Sequence, residues 1–220
     1  MKKIVFPTFT EEIKLWEKNK LVIGIDEVGR GALAGPLVAA AVAFTPNQVI
    51  PDGVSINDSK KLSAKQREKA AVWIKKNCLS WGIGETSVLF INKYGIVKAT
   101  HAAFRKAIKM IQLLHSKYLL VDAFYIKYVK GIGLVNQKAI IKGDEKSYSI
   151  AAASIIAKVY RDNLMRDLGV DYKSYNWNSN KGYGTKNHID TISRIGGCKY
   201  HRLAFISHIA YNKISYDKTG

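Results

Sequence analysis

The sequence predicts an α/β domain in which helices cover both faces of a mixed sheet. Short apolar runs alternate with helical segments along nearly all of the 220 residues, which is typical of a three-layer α/β fold. The first two apolar runs are joined by a short loop, so we expect an antiparallel hairpin within the sheet. Hydrophobic residues make up 47% of the chain, enough for one sizeable core. We therefore expect a single domain over residues 1–220, with residues 1–20 as an N-terminal lead-in.

Each predicted element follows from a local pattern. Residues 21–26 and 36–44 are apolar runs with no helical period, which indicates buried strands. Ser63 is a typical residue to precede a helix, so we expect a helix from there to residue 77. Apolar residues recur every three or four positions along 88–114, which predicts a long helix, with a break at Tyr94-Gly95. The remaining predicted elements are a partly helical segment at 10–20, strands at 79–86, 117–121 and 134–141, helices at 147–168 and 185–195, and a last amphipathic segment at 203–213.

The charge of the chain points to a polyanionic partner. Lysine and arginine number 35 against 17 acids, a formal net charge of +18. Such an excess favours nucleic acid as the partner, although a merely basic surface is the alternative. The two cysteines, Cys78 and Cys198, have no metal-ligand spacing and form no disulfide framework, which fits a reducing, cytoplasmic location. No uncharged stretch is long enough to cross a membrane, so we expect no membrane partner.

Acidic residues stand where predicted strands end. Asp26 and Glu27 close the first strand, Asp122 closes the fourth, and Asp144 follows the fifth. Strand ends at one edge of an α/β sheet are where sites assemble, so these carboxylates are expected to converge. A cluster of carboxylates repels itself unless divalent cations neutralise it. Oxygen ligands favour Mg²⁺ or Mn²⁺, and a pair of such ions suits displacement at phosphorus. The alternative for a single Asp at a strand end is a cap or a turn.

The glycine-rich turn after Glu27 allows a second interpretation. Gly29, Gly31 and Ala34 match the spacing of a dinucleotide-binding loop. That loop must open a helix, whereas Pro36 and the apolar run after it continue as a strand. Two acids directly before the loop would also repel a pyrophosphate. We therefore disfavour a dinucleotide-binding enzyme.

Several residues are candidates for binding a polyanion. Lys60 lies just before a predicted helix N-terminus, a favourable place for a phosphate. Ser154, Lys158 and Arg161 share one face of the helix predicted at 147–168. Tyr183 stands between two glycines, where an exposed ring could stack on a sugar or a base. For the lysines and the helix face, the alternative is ordinary solvated surface.

These motifs together resemble bacterial ribonuclease HII, the type 2 ribonuclease H. The resemblance runs in order over about residues 21–205, and each motif is modest alone but specific as a set. The motifs are Gly24-Ile25-Asp26-Glu27-Val28-Gly29-Arg30-Gly31, Asp58-Ser59-Lys60-Lys61-Leu62, Val121-Asp122, Lys142-Gly143-Asp144, the run from Ala151 to Asp162, and Gly182-Tyr183-Gly184-Thr185 with His188.

The resemblance implies an RNase H-like fold and an endonuclease. It implies cleavage of RNA in RNA/DNA hybrids, and nicking 5′ of single ribonucleotides in duplex DNA, leaving 3′-hydroxyl and 5′-phosphate ends. A helical region at about 170–220 would help to grip the duplex, and we expect a monomer. The implied metal ligands, for two Mg²⁺ or Mn²⁺ ions, are Asp26, Glu27, Asp122 and Asp144. The implied substrate contacts are Gly29, Arg30, Gly31 and Tyr183 at the ribonucleotide and Lys60, Ser154, Lys158 and Arg161 at phosphates.

Related families and functions remain as alternatives. Ribonuclease HIII usually carries a sizeable N-terminal domain and a different residue within the glycine pair, so the short lead-in and Arg30 favour HII. Ala204 stands where the family usually has serine, which puts any role of that serine in doubt here. The tail, 214–220, shows no clamp-binding peptide. A non-catalytic hybrid-binding module with the same fold is the alternative from another functional class.

Overall fold

The computed structural model describes residues 6–111 and 117–209. Its centre is a five-stranded sheet of order β3-β2-β1-β4-β5. The pairs β1–β2 and β2–β3 are antiparallel, and β1–β4 and β4–β5 are parallel, so the predicted hairpin and mixed sheet are confirmed. The strands are β1 Leu21–Val28, β2 Leu37–Ala43, β3 Ser80–Thr86, β4 Lys117–Asp122 and β5 Gln137–Ile140. The helices are α1 Thr10–Trp16, α2 Ala64–Asn77, α3 Val88–Met110, α4 Tyr148–Asp171, α5 Trp177–Asn180, α6 Lys186–Ile195 and α7 Leu203–Ile206.

Two apolar clusters make the predicted three layers. Alternate residues of β1 and β2, such as Ile25 and Ala41, pack against α3 with Phe104. The opposite face of β2 packs against α2 and α4, where Val42 meets Ile155. Because β1 and β2 are covered on both faces, they read as continuous apolar runs rather than as alternating strands.

The boundaries of most predicted elements are close to those observed. α2 begins after Ser63, whose hydroxyl accepts from the Gln66 N–H in a capping box. The break in α3 lies at Gly95, whose φ is 80°. The predicted end of that helix at 112–114 lies outside the described residues, as do residues 210–213 of the last amphipathic segment. In the described part of that segment, α7 covers only Leu203–Ile206.

The strand predicted at 134–141 is shorter than expected. Residues Leu134–Asn136 form a 3₁₀ turn, and β5 begins only at Gln137. The Gln137 side chain accepts from the N–H of Ile126 and donates to its C=O, both at 2.9 Å, and so fixes the loop before the strand. Leu134 and Val135 are exposed, which explains why an apolar run alone misled the prediction.

The C-terminal helices pack around a buried aromatic group. Trp177 lies with Met165 and Ile192 in a cluster of its own beyond the sheet. Its indole N–H donates to Nε2 of His188 at 3.1 Å, and His201 Nε2 lies 3.2 Å from the same atom. No helix in residues 6–111 or 117–209 is both long and apolar enough to cross a membrane.

Candidate active site

The parallel pairing of β1 and β4 brings their acids to one edge of the sheet. Ile25 is in register with Val121, so Asp26 and Asp122 follow on neighbouring strands at the same end. Glu27 is the next residue of β1, and Asp144 lies in a 3₁₀ turn, Gly143–Glu145, just after β5. The convergence that the strand ends predicted is therefore present in the structure.

A cleft of about 410 Å³ opens at this edge. It contains three of the four acids and most of the residues proposed to bind substrate. Asp144 and Arg161 do not line it. The lining residues are Asp26, Glu27, Val28, Gly29, Arg30, Gly31, Ser59, Lys60, Asp122, Ser154, Lys158 and Tyr183.

Backbone N–H groups hold two of the carboxylates in place. Oδ1 of Asp26 accepts from the Glu27 N–H at 2.7 Å. Oδ1 of Asp122 accepts from the Gly143 N–H at the same distance, which ties the end of β4 to the turn that carries Asp144. Each of these two carboxylates uses one oxygen for a backbone contact.

Burial and mutual repulsion raise the pKa values of the carboxyls. Burial raises the pKa of Asp26 well above its usual range, and the charges of Glu27, Asp122 and Asp144 raise it further. Burial likewise raises the pKa of Glu27 to about 7, although Arg30, 3.7 Å away, opposes the rise. The pKa of Asp144 rises to about 6, first through burial and then through the charges of Asp58 and Asp122. The ionised forms of these carboxyls are therefore disfavoured, first by burial and then by the neighbouring acids.

Lys60 is the cation at the centre of this group. The charges of Asp58, Asp144, Asp26 and Asp122 raise its pKa against the opposing effect of burial. Asp58 also accepts from the Lys60 N–H at 3.0 Å and so begins the short 3₁₀ turn Ser59–Lys61. Lys60 is thus placed by a side-chain cap beside the carboxylates.

The donor set fits a hard divalent cation. Its potential ligands are carboxylate oxygens, which Mg²⁺ and Mn²⁺ prefer, and their raised pKa values report charge that a cation would neutralise. Within 6–111 and 117–209, no three His, Cys, Asp or Glu side chains are already grouped as an enclosing metal site.

Two buried arginines shape the glycine-rich loop that borders the cleft. Gly29 has φ 87°, and a Cβ there would lie 2.2 Å from Arg161 Nε. Arg161 donates to the carbonyls of Pro36, Lys181 and Ala34 at 2.9–3.0 Å. Arg202 donates to the carbonyls of Gly29 and Arg30 and, through two nitrogens, to that of Gly35. Both guanidinium groups are 0% exposed, so they order the loop from below.

The structure therefore corrects the role predicted for Arg161. It was expected to contact phosphates, but its buried donors already bind backbone carbonyls inside the protein. The helical spacing predicted the correct face of α4, but the glycine loop and the Tyr183 loop cover the end of that face. A buried arginine cannot be told from a surface one by spacing alone.

The other residues of that helix face do line the cleft. The hydroxyl of Ser154 shares a 2.8 Å hydrogen bond with that of Ser59. Lys158 contacts Asp162 at 2.9 Å, and its Nζ lies 5.5 Å from the centre of the Tyr183 ring. Asp162, the partner of Lys158, is only 6% exposed.

Tyr183 is placed by contacts between its loop and the glycine loop. The C=O of Gly182 accepts from the N–H of Leu33 at 2.8 Å, and Arg161 Cζ lies 5.2 Å from the Tyr183 ring centre. His188, which follows in α6, donates through Nδ1 to the Tyr183 C=O when its Nε2 accepts from Trp177. His188 and His201 are thus both engaged with the aromatic cluster around Trp177.

Sequence reasoning missed two residues of the site. Asp58 raises the pKa of Asp144, and Arg202 holds three carbonyls of the glycine loop. The Asn-Asp pair before the 59–61 turn was a signal of a capping acid. For Arg202, no local pattern connects a residue near the C-terminus to a loop more than 160 positions earlier.

Comparisons with known proteins agree with this geometry. The ribonuclease HII family model matches residues 23–210. A ribonuclease HII from Wolbachia sp. subsp. Brugia malayi is 46% identical over 204 residues, covering 92% of this chain and 94% of its own. Among solved structures, ribonuclease H2 from Pyrococcus horikoshii superimposes with a TM-score of 0.70 at 22% identity, covering 86% and 97% of the two chains. Bst-RNase HIII in complex with Mn²⁺ has a TM-score of 0.64 at 19% identity, covering 80% and 61%. The chain therefore belongs to the ribonuclease HII family, the type 2 ribonucleases H, endonucleases that cleave the RNA of RNA/DNA hybrids.

Proposed function

We propose that this ribonuclease H also nicks duplex DNA 5′ of a single embedded ribonucleotide, leaving 3′-hydroxyl and 5′-phosphate ends. The observation that carries the proposal is that the carboxylates and the open space at Gly31 border the same cleft. A Cβ built on Gly31 has no neighbour within 4 Å, so a sugar can approach the backbone there. One ribose could therefore be recognised beside the phosphate that is cut.

Divalent cations would be held by Asp26, Glu27, Asp122 and Asp144. Two bound Mg²⁺ or Mn²⁺ ions would supply a nucleophile at neutral pH and neutralise charge on the phosphate. The mutual rise in the pKa values of the acids supports this assignment, because bound cations would relieve it. A protein of this fold, Bst-RNase HIII, was solved with Mn²⁺.

The chain's own residues would position the substrate. Gly29, Arg30 and Gly31 offer backbone groups and a half-exposed guanidinium to the ribose. Tyr183, braced by Lys158 and Arg161, would pack against the sugar at the RNA-to-DNA junction. Lys60 would attract the cut phosphate, and Ser154 and Lys158 would contact phosphates next to it. We also propose that the protein acts as a monomer in the cytoplasm.

The test is a DNA duplex that contains one ribonucleotide, with Mg²⁺ or Mn²⁺ present. The wild-type protein should nick it 5′ of the ribonucleotide and leave an all-DNA duplex intact. Asp122→Asn keeps the oxygen that accepts from Gly143, so the fold should persist while nicking falls at least about 100-fold, the upper range for a residue that merely orients a metal ligand.

Asp52→Asn, the same change at an exposed position, is the control and should nick at the wild-type rate. If wild-type protein cut long hybrids but not the single ribonucleotide, the proposed substrate would be wrong. Undiminished nicking by Asp122→Asn would refute the role given to the acids.

A further inference from the structure

We propose that Arg30, Arg105 and Lys127 form a second phosphate-binding surface, the basic flank, which holds the nucleic-acid duplex where it leaves the cleft. This extends the proposed function, because the duplex in question is the one bound at the carboxylates. The residues come from three separate elements: the glycine loop, α3 and the loop that follows β4. No local motif in the sequence joins them.

Aromatic packing brings the three elements together. The Arg30 guanidinium lies 5.3 Å from the centre of the Phe124 ring, just beyond the catalytic edge at Asp122. Phe124 in turn packs against His101 and Phe104 of α3, with ring centres 5.7 and 5.6 Å apart. The loop after β4 is therefore fixed between the glycine loop and α3.

A hydrogen bond fixes the next residues of that loop. Nη1 of Arg105 donates to the Lys127 C=O at 3.2 Å, so the Arg105 guanidinium lies beside the backbone of Lys127. The Lys127 side chain is exposed, as is the neighbouring Tyr128 at 88%. The flank therefore presents its charges to solvent, in contrast to the buried Arg161 and Arg202.

Two of the three charges of the flank have no acidic partner within the described chain. Arg30 has Glu27 at 3.7 Å, whereas no carboxylate of the described residues lies within 4.0 Å of Arg105 or Lys127. The segment between Asp122 and Asp144 contains no acid, and of its lysines Lys138 is paired with Glu11 at 2.6 Å.

His101 reports this local excess of positive charge. Burial lowers its pKa, and the charges of Arg105, Lys127 and Arg30 lower it further, so all three cations act on one site. Its Nδ1 is buried and has no hydrogen-bond partner among the described residues. A bound polyanion would supply the charge that this surface lacks.

A duplex fits the flank better than a small anion does. Arg30 lines the cleft and also belongs to the flank, so the positive surface is continuous from the site of cutting outwards. A nucleic-acid duplex carries about one negative charge per 1.7 Å of its axis, so phosphates beyond the cut one must pass over the neighbouring cations. The flank should therefore contribute affinity and register, with no part in the chemical step.

The experiment compares two double variants of equal charge. Arg105→Ala/Lys127→Ala removes the flank outside the catalytic cleft. Lys18→Ala/Lys76→Ala removes two exposed lysines near the opposite edge of the sheet, before β1 and β3 begin. Binding of each protein to an RNA/DNA hybrid is measured by fluorescence anisotropy in EDTA, so that no cutting occurs, at salt concentrations from about 50 to 200 mM.

The flank variant should bind about tenfold more weakly at low salt. Its plot of log affinity against log salt should be less steep by about 1.8, or 0.9 for each lost phosphate contact. The control variant should keep the wild-type slope. With saturating hybrid and metal, kcat of the flank variant should equal that of wild type while KM rises.

Two further variants separate charge from loop structure. Lys127→Ala alone alters only an exposed side chain and should lower the slope by about 0.9. Arg105→Lys keeps the charge and should keep the wild-type slope; a loss equal to that of Arg105→Ala would mean that Arg105 acts only by holding the loop and would overturn its role as a phosphate contact.

The outcomes also separate this proposal from the proposed function. An unchanged salt slope in the flank variant, or an equal change in the control, would refute the basic flank even if wild-type protein nicks at ribonucleotides. If wild-type protein bound hybrid with the expected slope and failed to nick, the flank would stand and the nicking proposal would fall.

Discussion

At the scale of single residues, burial changes the pKa values of the acids in the site and the hydrogen-bond partners of its arginines. The pKa of Glu27 is raised to about 7 because the residue is buried beside Asp122, although Arg30, a backbone hydrogen bond and Lys60 oppose the rise. Arg161 shows the converse, since burial turned a predicted phosphate contact into a support for backbone carbonyls. Residue identity and order were visible in the sequence, but burial was not.

The raised pKa of Glu27 predicts how stability depends on pH. Between its unfolded value of 4.5 and its folded value of about 7, the folded protein binds more protons than the unfolded one. The free energy of unfolding must therefore fall as pH rises through that window, by at most about 3 kcal/mol for this residue. Glu27→Gln should remove that part of the decline when urea unfolding is measured in EDTA across the window.

Metal provides the matching control for this prediction. Mn²⁺ should restore wild-type stability most strongly at the alkaline end, where the acids are ionised, and should do so less for Glu27→Gln. A wild-type protein whose stability in EDTA rises from pH 4.5 to 7 in step with that of the variant would contradict the assignment.

At the scale of elements, the glycine loop depends on hydrogen bonds from other parts of the chain for its conformation. It makes few hydrogen bonds of its own and receives donors from α4 through Arg161 and from the segment before α7 through Arg202. The loop that carries Tyr183 is fastened to it at Gly182. The sequence predicts the loop, but the residues that support it come from distant positions.

Arg202 should be a positioning residue for this loop. Arg202→Met removes the Arg202 donor to the carbonyls of Arg30 and Gly35 and leaves that of Gly29 with only the Ala32 N–H, so we expect the free energy of unfolding to fall by about 3 kcal/mol. Discrimination between a ribonucleotide and a deoxyribonucleotide junction should weaken more than cutting of a long hybrid, because we propose that the loop contacts the ribose.

Urea unfolding and the ratio of rates on the two substrates measure these effects. Arg194→Met, at an exposed position on α6, is the control and should leave the ratio unchanged. If Arg202→Met lowered stability and left the ratio intact, Arg202 would be a purely structural residue.

At the scale of the whole molecule, close packing of the layers places α4 over the sheet. Gly24 lies directly beneath this helix, where a Cβ would stand 2.1 Å from the carbonyl carbon of Ser149. The same helix carries Ser154 and Lys158 to the cleft, so the spacing of the layers sets the depth of the site.

Gly24→Ala should therefore push α4 away from β1. Overpacking of this kind costs about 1–3 kcal/mol, and the clash here is with backbone, so we expect the upper part of that range. Gly133→Ala is the matched control, because its Cβ would meet nothing closer than 3.8 Å and its φ of −70° suits alanine. Urea unfolding measures the stability of both variants. Equal stability would contradict the close approach of α4 to Gly24.

The amino-acid sequence alone predicts the family, the alternation of strands and helices, the hairpin and the acids at the strand ends. These follow from local signals: apolar runs, the Ser63 cap, the turn at Gly95 and an ordered set of motifs. The predicted strand at 134–141 is too long because Leu134 and Val135 are apolar but exposed.

Which charged groups face the cleft depends on the tertiary structure. Asp58 approaches Asp144 from 86 positions away, and Arg202 reaches Gly29 across 173 positions. The basic flank likewise exists only because Phe124 packs between two distant elements. Burial and long-range pairing depend on how the layers close over one another, and no pattern of neighbouring residues encodes that.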